Sequence, residues 1–153
     1  MILSSPDPAA DPFFAAALLA LQHEAFEIEA ALIGTRELPP LQDDMVSLPA
    51  FRGSWITAWD GTSLVGAVAW TDDDRDGVAE IDRVMVHPSA HRRGIASLMV
   101  TAMLDRLPGY DVVVTTGSDN PPGIAMYAKH GFETVGEIEV PPGVRLTQLR
   151  RSA

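Results

Sequence analysis

The chain predicts an α/β (α+β) fold, a sheet of mixed strand directions with helices covering both faces. Three observations carry this expectation. Helical and strand periodicities alternate along the chain. An Asp60-Gly61 turn between apolar segments sets two strands antiparallel. A basic turn after a β-branched strand opens a helix that a further strand follows, which is a βαβ unit. At 153 residues, 46% hydrophobic and 21% charged, the chain is most simply one globular domain over 1–153.

Residues 1–10, with Pro6, Asp7 and Pro8, are expected to form a flexible arm. Asp11-Pro12 then supplies an N-cap and a first-turn proline for a helix over about 12–33. Its core stripe is expected at Leu18, Leu21, Ala25, Ile28 and Leu32, with Gly34 as the C-cap and a break into two pieces near Glu24–Glu27. Pro39-Pro40 and Pro49 bound an irregular stretch with one short helical turn. A hairpin of 54–59 and 63–70 follows, then a polar turn over 71–77 and a strand over 78–86. The remaining elements are a helix at 92–107, a strand at 111–116, a helix at 121–130, and strands at 133–140 and 144–150.

A net charge of −10 argues against a nucleic-acid surface, which is basic, and favours cationic partners such as amines. The acidic runs Asp43-Asp44 and Asp72-Asp73-Asp74 are expected to be solvated loops. There is no cysteine, which excludes disulfides, thiolate nucleophiles and Cys-based metal sites. His23, His87, His91 and His130 have no HExxH-like spacing, so no metal centre is expected. The apolar run Phe13–Leu21 is too short to span a bilayer and has no basic segment before it, so the expected location is cytoplasmic, with no membrane partner.

The most informative stretch is Val86-His87-Pro88-Ser89-Ala90-His91-Arg92-Arg93-Gly94-Ile95-Ala96. A strand stops at Pro88, a basic turn follows, and a helix opens on small residues. Such a turn aims several backbone N–H groups at one spot, where the helix N-terminus adds partial positive charge, and this suits a pyrophosphate. Gly94 allows close approach to the backbone, and Arg92 and Arg93 offer bidentate donors. No Gly-Lys-Ser/Thr follows the glycine, and Gly-x-Gly-x-x-Gly is absent, which argues against nucleotide-triphosphatase and dinucleotide-binding readings. A second motif begins at Asn120 and includes Gly123, Met126, Tyr127, Gly131 and Phe132.

Together these stretches resemble the GCN5-related N-acetyltransferase (GNAT) superfamily. Val86–Ala96 fits its pattern V-x-P-x-x-[RQ]-x-x-G-x-[GA] except at His91, where Arg or Gln is usual. Asn120, Met126, Tyr127, Gly131 and Phe132 match the later pattern N-x-x-A-x-x-L-Y-x-x-x-G-F, with Gly123 in place of the usual alanine. The resemblance covers about residues 52–150 and implies a mostly antiparallel sheet of about six to seven strands. It further implies a cytoplasmic acetyl-CoA-dependent N-acetyltransferase, acting on a primary amine of a small molecule or protein, and allows a homodimer. The competing reading is a non-catalytic acyl-CoA-binding or sensor domain on the same fold.

The resemblance also implies residue roles. The backbones of Val84, Met85 and Val86 pair with the pantetheine arm, while the same strand's side chains serve the core. Pyrophosphate sits on the amides of Arg92, Arg93, Gly94, Ile95 and Ala96, with Ser97 one step further, and His91 weakens the charged contact. Asn120 either bonds the pantetheine amides or caps the 121–130 helix. Tyr127, two helical turns on, protonates the departing thiolate, or else is a core aromatic. Glu80 is the first candidate base and Asp82, on the same face by alternation unless a bulge intervenes, the second; both also suit pairing with Arg83. Glu24, Glu27 and Glu29 are expected to line the acceptor pocket, and a water relay is an alternative to a direct base.

Overall fold

A computed structural model describes residues 1–34, 37–141 and 143–153. The elements are β1 (Ile2–Ser4), α1 (Pro12–Ile33), α2 (Pro39–Gln42), β2 (Ser54–Asp60), β3 (Ser63–Asp73), β4 (Val78–Val86), a 3-10 turn (Pro88–Ala90), α3 (Ile95–Asp105), β5 (Asp111–Gly117), α4 (Pro121–Lys129), β6 (Glu133–Val140) and β7 (Val144–Arg151). The strands form one seven-stranded sheet in the order β1-β2-β3-β4-β5-β7-β6. Every pairing is antiparallel except that of β4 with β5. Two apolar layers flank the sheet. Met99, Met103 and Tyr127 from α3 and α4 pack on one face with Ile81 and Val114. On the other face Phe14, Leu18 and Leu21 of α1 pack with Trp55, Ala69 and Met85. The mixed, mostly antiparallel sheet with helices on both faces is the expected fold.

Local chemistry explains most boundaries. The Asp11 carboxylate accepts from the N–H groups of Phe13 and Phe14 at 3.0 and 3.1 Å, and Pro12 occupies the first helical position. The helix then runs unbroken to Ile33, because Ala, Leu and Glu dominate the stretch and no Gly or Pro interrupts it. The expected break near Glu24–Glu27 does not occur. The buried stripe also differs from the expected one. Leu18 and Leu21 are buried and continue into Phe26 and Ala30, whereas Ile28 and Leu32 are 45% and 46% exposed.

Three further expectations are corrected. Residues 2–4 are not an arm but strand β1, with Leu3 opposite Ala58 and the Ser4 hydroxyl 2.8 Å from that of Thr57. Three residues are too few for a periodicity, so this strand is defined by its partner. Asp72 and Asp73 belong to the end of β3, opposite Ala79 and Val78, rather than to a loop. The helix expected from residue 92 begins at Ile95, since Arg92 and Gly94 are both left-handed. Among the described residues, no helix is long and apolar enough to cross a membrane.

Candidate active site

The cleft arises where a parallel pair parts. β4 pairs with β5 from Val78–Asp111 to Ile81–Val114 and no further, while β3 follows β4 to Val86. Beyond Ile81, the edge of β4 that faced β5 therefore has no strand partner among the described residues. The register with β3 shifts at the same point: Trp70 faces Ile81 and Ala69 faces Arg83, so Asp82 is an inserted, bulged residue. The opening forms a cavity of about 660 Å³, with Val84, Met85 and Val86 on one side and Val114, Thr115 and Thr116 on the other. Ile28 and Leu32 of α1 line it, which explains their exposure.

One end of the cavity is an anion cradle. α3 has no side-chain cap, and its opening N–H groups have no intrahelical partner. Gly94, at φ +74°, has no atom within 4 Å of the place a Cβ would take, so the cradle stays open above it. Arg92 at φ 62° is the one non-glycine residue with positive φ among those described, a strained backbone within the turn. His91, Arg92, Gly94, Ile95, Ala96 and Ser97 all line the cavity. Arg93 does not: it turns outward and pairs with Asp60 at 3.0 Å, because the hairpin turn brings a carboxylate beside it. His91 is exposed, and its Nε2 lies 3.2 Å from the Val86 carbonyl, tying the turn to the strand end. Ser97 Oγ lies 2.8 Å from His130 Nε2.

The second motif forms the opposite wall. Asn120 caps α4, accepting from Gly123 N–H at 3.3 Å, and its amide donates to Glu29 Oε1 at 3.4 Å. Glycine at 123 belongs to this arrangement, because a Cβ there would stand 2.7 Å from Asn120 Nδ2. Tyr127 is 6% exposed, packs edge-on against Phe132 with ring centroids 5.4 Å apart, and lines the cavity. Burial, reinforced by the negative charge of Glu29, pushes the Tyr127 phenol well above its usual range. Glu29 reaches the site from α1 and also accepts from Thr116 Oγ1 at 3.5 Å. Burial raises its pKa, against the opposing effect of the Asn120 and Thr116 hydrogen bonds.

The remaining carboxylates are distributed differently from expectation. Glu80 is exposed within the paired part of β4, opposite Thr71 and Val113, and does not line the cavity. Asp82 does line it, but the bulge breaks the alternation that would have placed it beside Glu80. Glu24 pairs with His87 outside the cavity, and Glu27 does not line it either. Of the three glutamates expected on α1, only Glu29 reaches the cleft.

A second cavity, of about 410 Å³, adjoins the first. The segment before α2 and the β6–β7 turn close it, with Leu38, Pro40, Val140 and Leu146 among its walls. Phe26, Glu29, Asp82, Arg83, Thr115 and Thr116 line both cavities. Arg83 escaped the sequence reading as a site residue, although a charge inside the apolar 78–86 strand was a visible signal. Its guanidinium lies over the rings of Phe51 and Trp55, 5.1 and 5.7 Å from their centroids. It also donates to Asp82, to Asp43 at 2.6 Å and to Gln22 at 2.9 Å. Fully buried Gln22 completes its bonding with Pro40 O and Asp43, each at 2.8 Å. Burial pushes the Asp43 carboxyl up, but bonds from Arg83, Ser47 and Gln22 and the charge of Arg83 outweigh it and hold the pKa low. Among the described residues, no group of three or more His, Asp or Glu stands where it could hold a metal ion.

A sheet that parts beside an uncapped helix N-terminus, with a buried tyrosine in the cleft wall, is a site suited to a phosphate-bearing ligand. The chain belongs to the acetyltransferase (GNAT) family, whose model matches residues 16–132. The fold is shared by solved structures of low identity. The ribosomal-protein-S18-alanine N-acetyltransferase of Escherichia coli is 13% identical with TM-score 0.75, over 99% of this chain and 92% of that one. The PaiA N-acetyltransferase of Thermoplasma acidophilum, solved with coenzyme A, is 14% identical with TM-score 0.70, over 100% of both chains. Among curated proteins, the UPF0157 protein YqkA of Bacillus subtilis (strain 168) is 24% identical over 131 residues. That match takes in 85% of this chain and 38% of the relative's length.

Proposed function

We propose that this protein transfers the acetyl group of acetyl-CoA to a primary amine of a small molecule or peptide by direct attack. The observation that carries this reading is the meeting of two cavities at one group of side chains, Glu29, Asp82 and Thr116. One cavity ends in an anion cradle and suits the donor. The other is apolar with carboxylates at its inner end and suits a cationic acceptor. A domain that only sensed acyl-CoA would have no use for the second cavity.

The residues present fit the donor. The uncapped α3 N-terminus and the open space over Gly94 suit a pyrophosphate, with the Arg92 side chain and the amides of residues 92–97 as donors. The free edge of β4 at Val84–Val86 suits an extended amide chain. The Val86 carbonyl already accepts from His91, so this histidine gives way or shares that acceptor when the arm is bound. When bound, the donor supplies an activated thioester carbonyl. Tyr127 holds its proton throughout the neutral range and donates it to the thiolate as the C–S bond breaks. Asn120 keeps α4 in register through its cap and has one amide proton directed to Glu29. The cytoplasmic location expected from the sequence is part of the same reading.

The test is release of free CoA thiol from acetyl-CoA across a panel of amines, beside calorimetric titration with CoA. Saturable, amine-dependent release supports the assignment. Tight CoA binding without release for any amine supports the sensor reading instead.

A further inference from the structure

We propose that Glu29 is the proton acceptor for the attacking amine. This rests on the acetyltransferase reading above. Glu29 is the one glutamate that lines both cavities. Asn120 and Thr116 both bond Oε1, at 3.4 and 3.5 Å, and fix the carboxylate where the two cavities meet. Asp82, the other acidic side chain shared by the cavities, is already engaged by Arg83, and taking up a proton would break that pairing. Glu80 is outside the cleft.

The need for an acceptor is quantitative. A primary amine with pKa about 10.4 is free base in only about one molecule in 2,500 at pH 7. An ammonium entering the acceptor cavity passes its extra proton through Glu29 to solvent. As the nitrogen then forms its bond to the thioester carbon, an N–H proton moves to Glu29. The C–S bond breaks, sulfur takes the Tyr127 proton, and the proton on Glu29 returns to the tyrosinate through water. One amide bond forms and one thioester bond breaks; the thiol keeps the proton Tyr127 gave it, and the proton the amine lost restores Tyr127. The charge of Glu29 is one of the two causes that make Tyr127 a weaker acid. Proton uptake by Glu29 removes that cause when the thiolate needs a proton. The desolvation that raises the Glu29 pKa brings this carboxylate nearer to neutral operating pH.

The other groups facing this site are Asp82 and Arg83 of β4, Tyr127 and Lys129 of α4, and His91 and Arg92 of the cradle. Glu37 faces it from the segment before α2. Variants must therefore separate Glu29 from Asp82. The experiment measures kcat/KM for wild type, Glu29→Gln and Asp82→Asn from pH 5.5 to 10. Acetyl-CoA is the donor; phenethylamine, spermidine and a lysine hexapeptide are the acceptor probes. CoA titration and circular dichroism check donor binding and folding.

Glu29→Gln is expected to lose about 100-fold in kcat/KM for the amine at pH 7. The loss shrinks as pH rises and free amine accumulates, and CoA affinity stays within about threefold of wild type. A Glu29→Gln profile that matches wild type, or a loss found with Asp82→Asn instead, overturns Glu29 as acceptor and leaves acetyl transfer standing. A wild type that releases no CoA with any probe overturns both.

Discussion

Replacing Gly94 with alanine separates what this position does for folding from what it does for the donor. Gly94 has φ +74°, and no atom lies within 4 Å of a Cβ built there. The substitution thus brings no clash, and its folding cost is that of a left-handed alanine, about 1–2 kcal/mol. For 153 residues, an unfolding entropy of about 2.1 cal/mol/K per residue turns this into about 3–6 °C of Tm. Gly77, at φ +65° in the β3–β4 turn and also with nothing within 4 Å, is the matched control outside both cavities. The two alanine variants should melt alike. Only the methyl at 94 stands over the cradle, where it forces the pyrophosphate off one charge-assisted N–H bond or more. At about 1.5–3 kcal/mol for hydrogen bonds to a charged group, CoA affinity should fall about 10- to 150-fold. Calorimetric CoA titration beside thermal melts of wild type, Gly94→Ala and Gly77→Ala reads both quantities. If Gly94→Ala binds CoA within about threefold of Gly77→Ala, the pyrophosphate does not rest on this turn.

Tyr127→Phe should lower kcat by about 100-fold while shifting the acetyl-CoA KM far less; steady-state kinetics showing unchanged turnover removes Tyr127 from the acid role. Arg83→Leu leaves the part-buried Asp43 carboxylate unpaired and should cost about 3–5 kcal/mol in urea unfolding, with Arg83→Leu plus Asp43→Leu recovering part of it. A loss below about 1 kcal/mol would show that the pair is dispensable. Glu29→Gln should gain stability at neutral pH, since the raised native pKa makes the native state bind more protons than the unfolded one above about pH 4.5. Wild-type stability therefore falls as pH rises from about 4.5 through the raised pKa, and the melting curves of the two proteins should converge near pH 4 and part by pH 7.

Features that depend on a few neighbouring residues were legible in the sequence. The Asp11-Pro12 cap, the hairpin of 54–59 and 63–70 and both motif turns are local backbone chemistry, and each is found in the structure, with β3 running three residues past its expected end. Ile28 and Leu32 show where legibility ends. Helical periodicity identifies an apolar stripe but not what covers it, and here the end of that stripe faces a cleft instead of the sheet. The bulge at Asp82 depends on the register of β3, to which the residues of β4 are indifferent. Arg83 finds its partners at Gln22 and Asp43, 61 and 40 positions away, a distance no local pattern spans. Glu29 could be grouped with its neighbours Glu24 and Glu27, but not singled out from them.

The bulge joins these unread features into one cause. Without Asp82 as an inserted residue, Arg83 would share the face of Ala79 and Ile81, against Met99 and Met103, with no carboxylate to meet. The insertion turns Arg83 and Met85 toward α1, where Asp43, Gln22 and the two aromatic rings hold the guanidinium, and leaves Val84 and Val86 toward α3. β4 parts from β5 at the same residue, so the strand gains a free edge where its side chains change sides. In the proposed reading, a donor lying along that edge and an acceptor entering beneath α2 meet at this break. The wall there is made by Asp82, Thr116 and Glu29, and Tyr127 lies within reach of Glu29's charge. On that reading, the reaction takes place where β4 and β5 stop pairing.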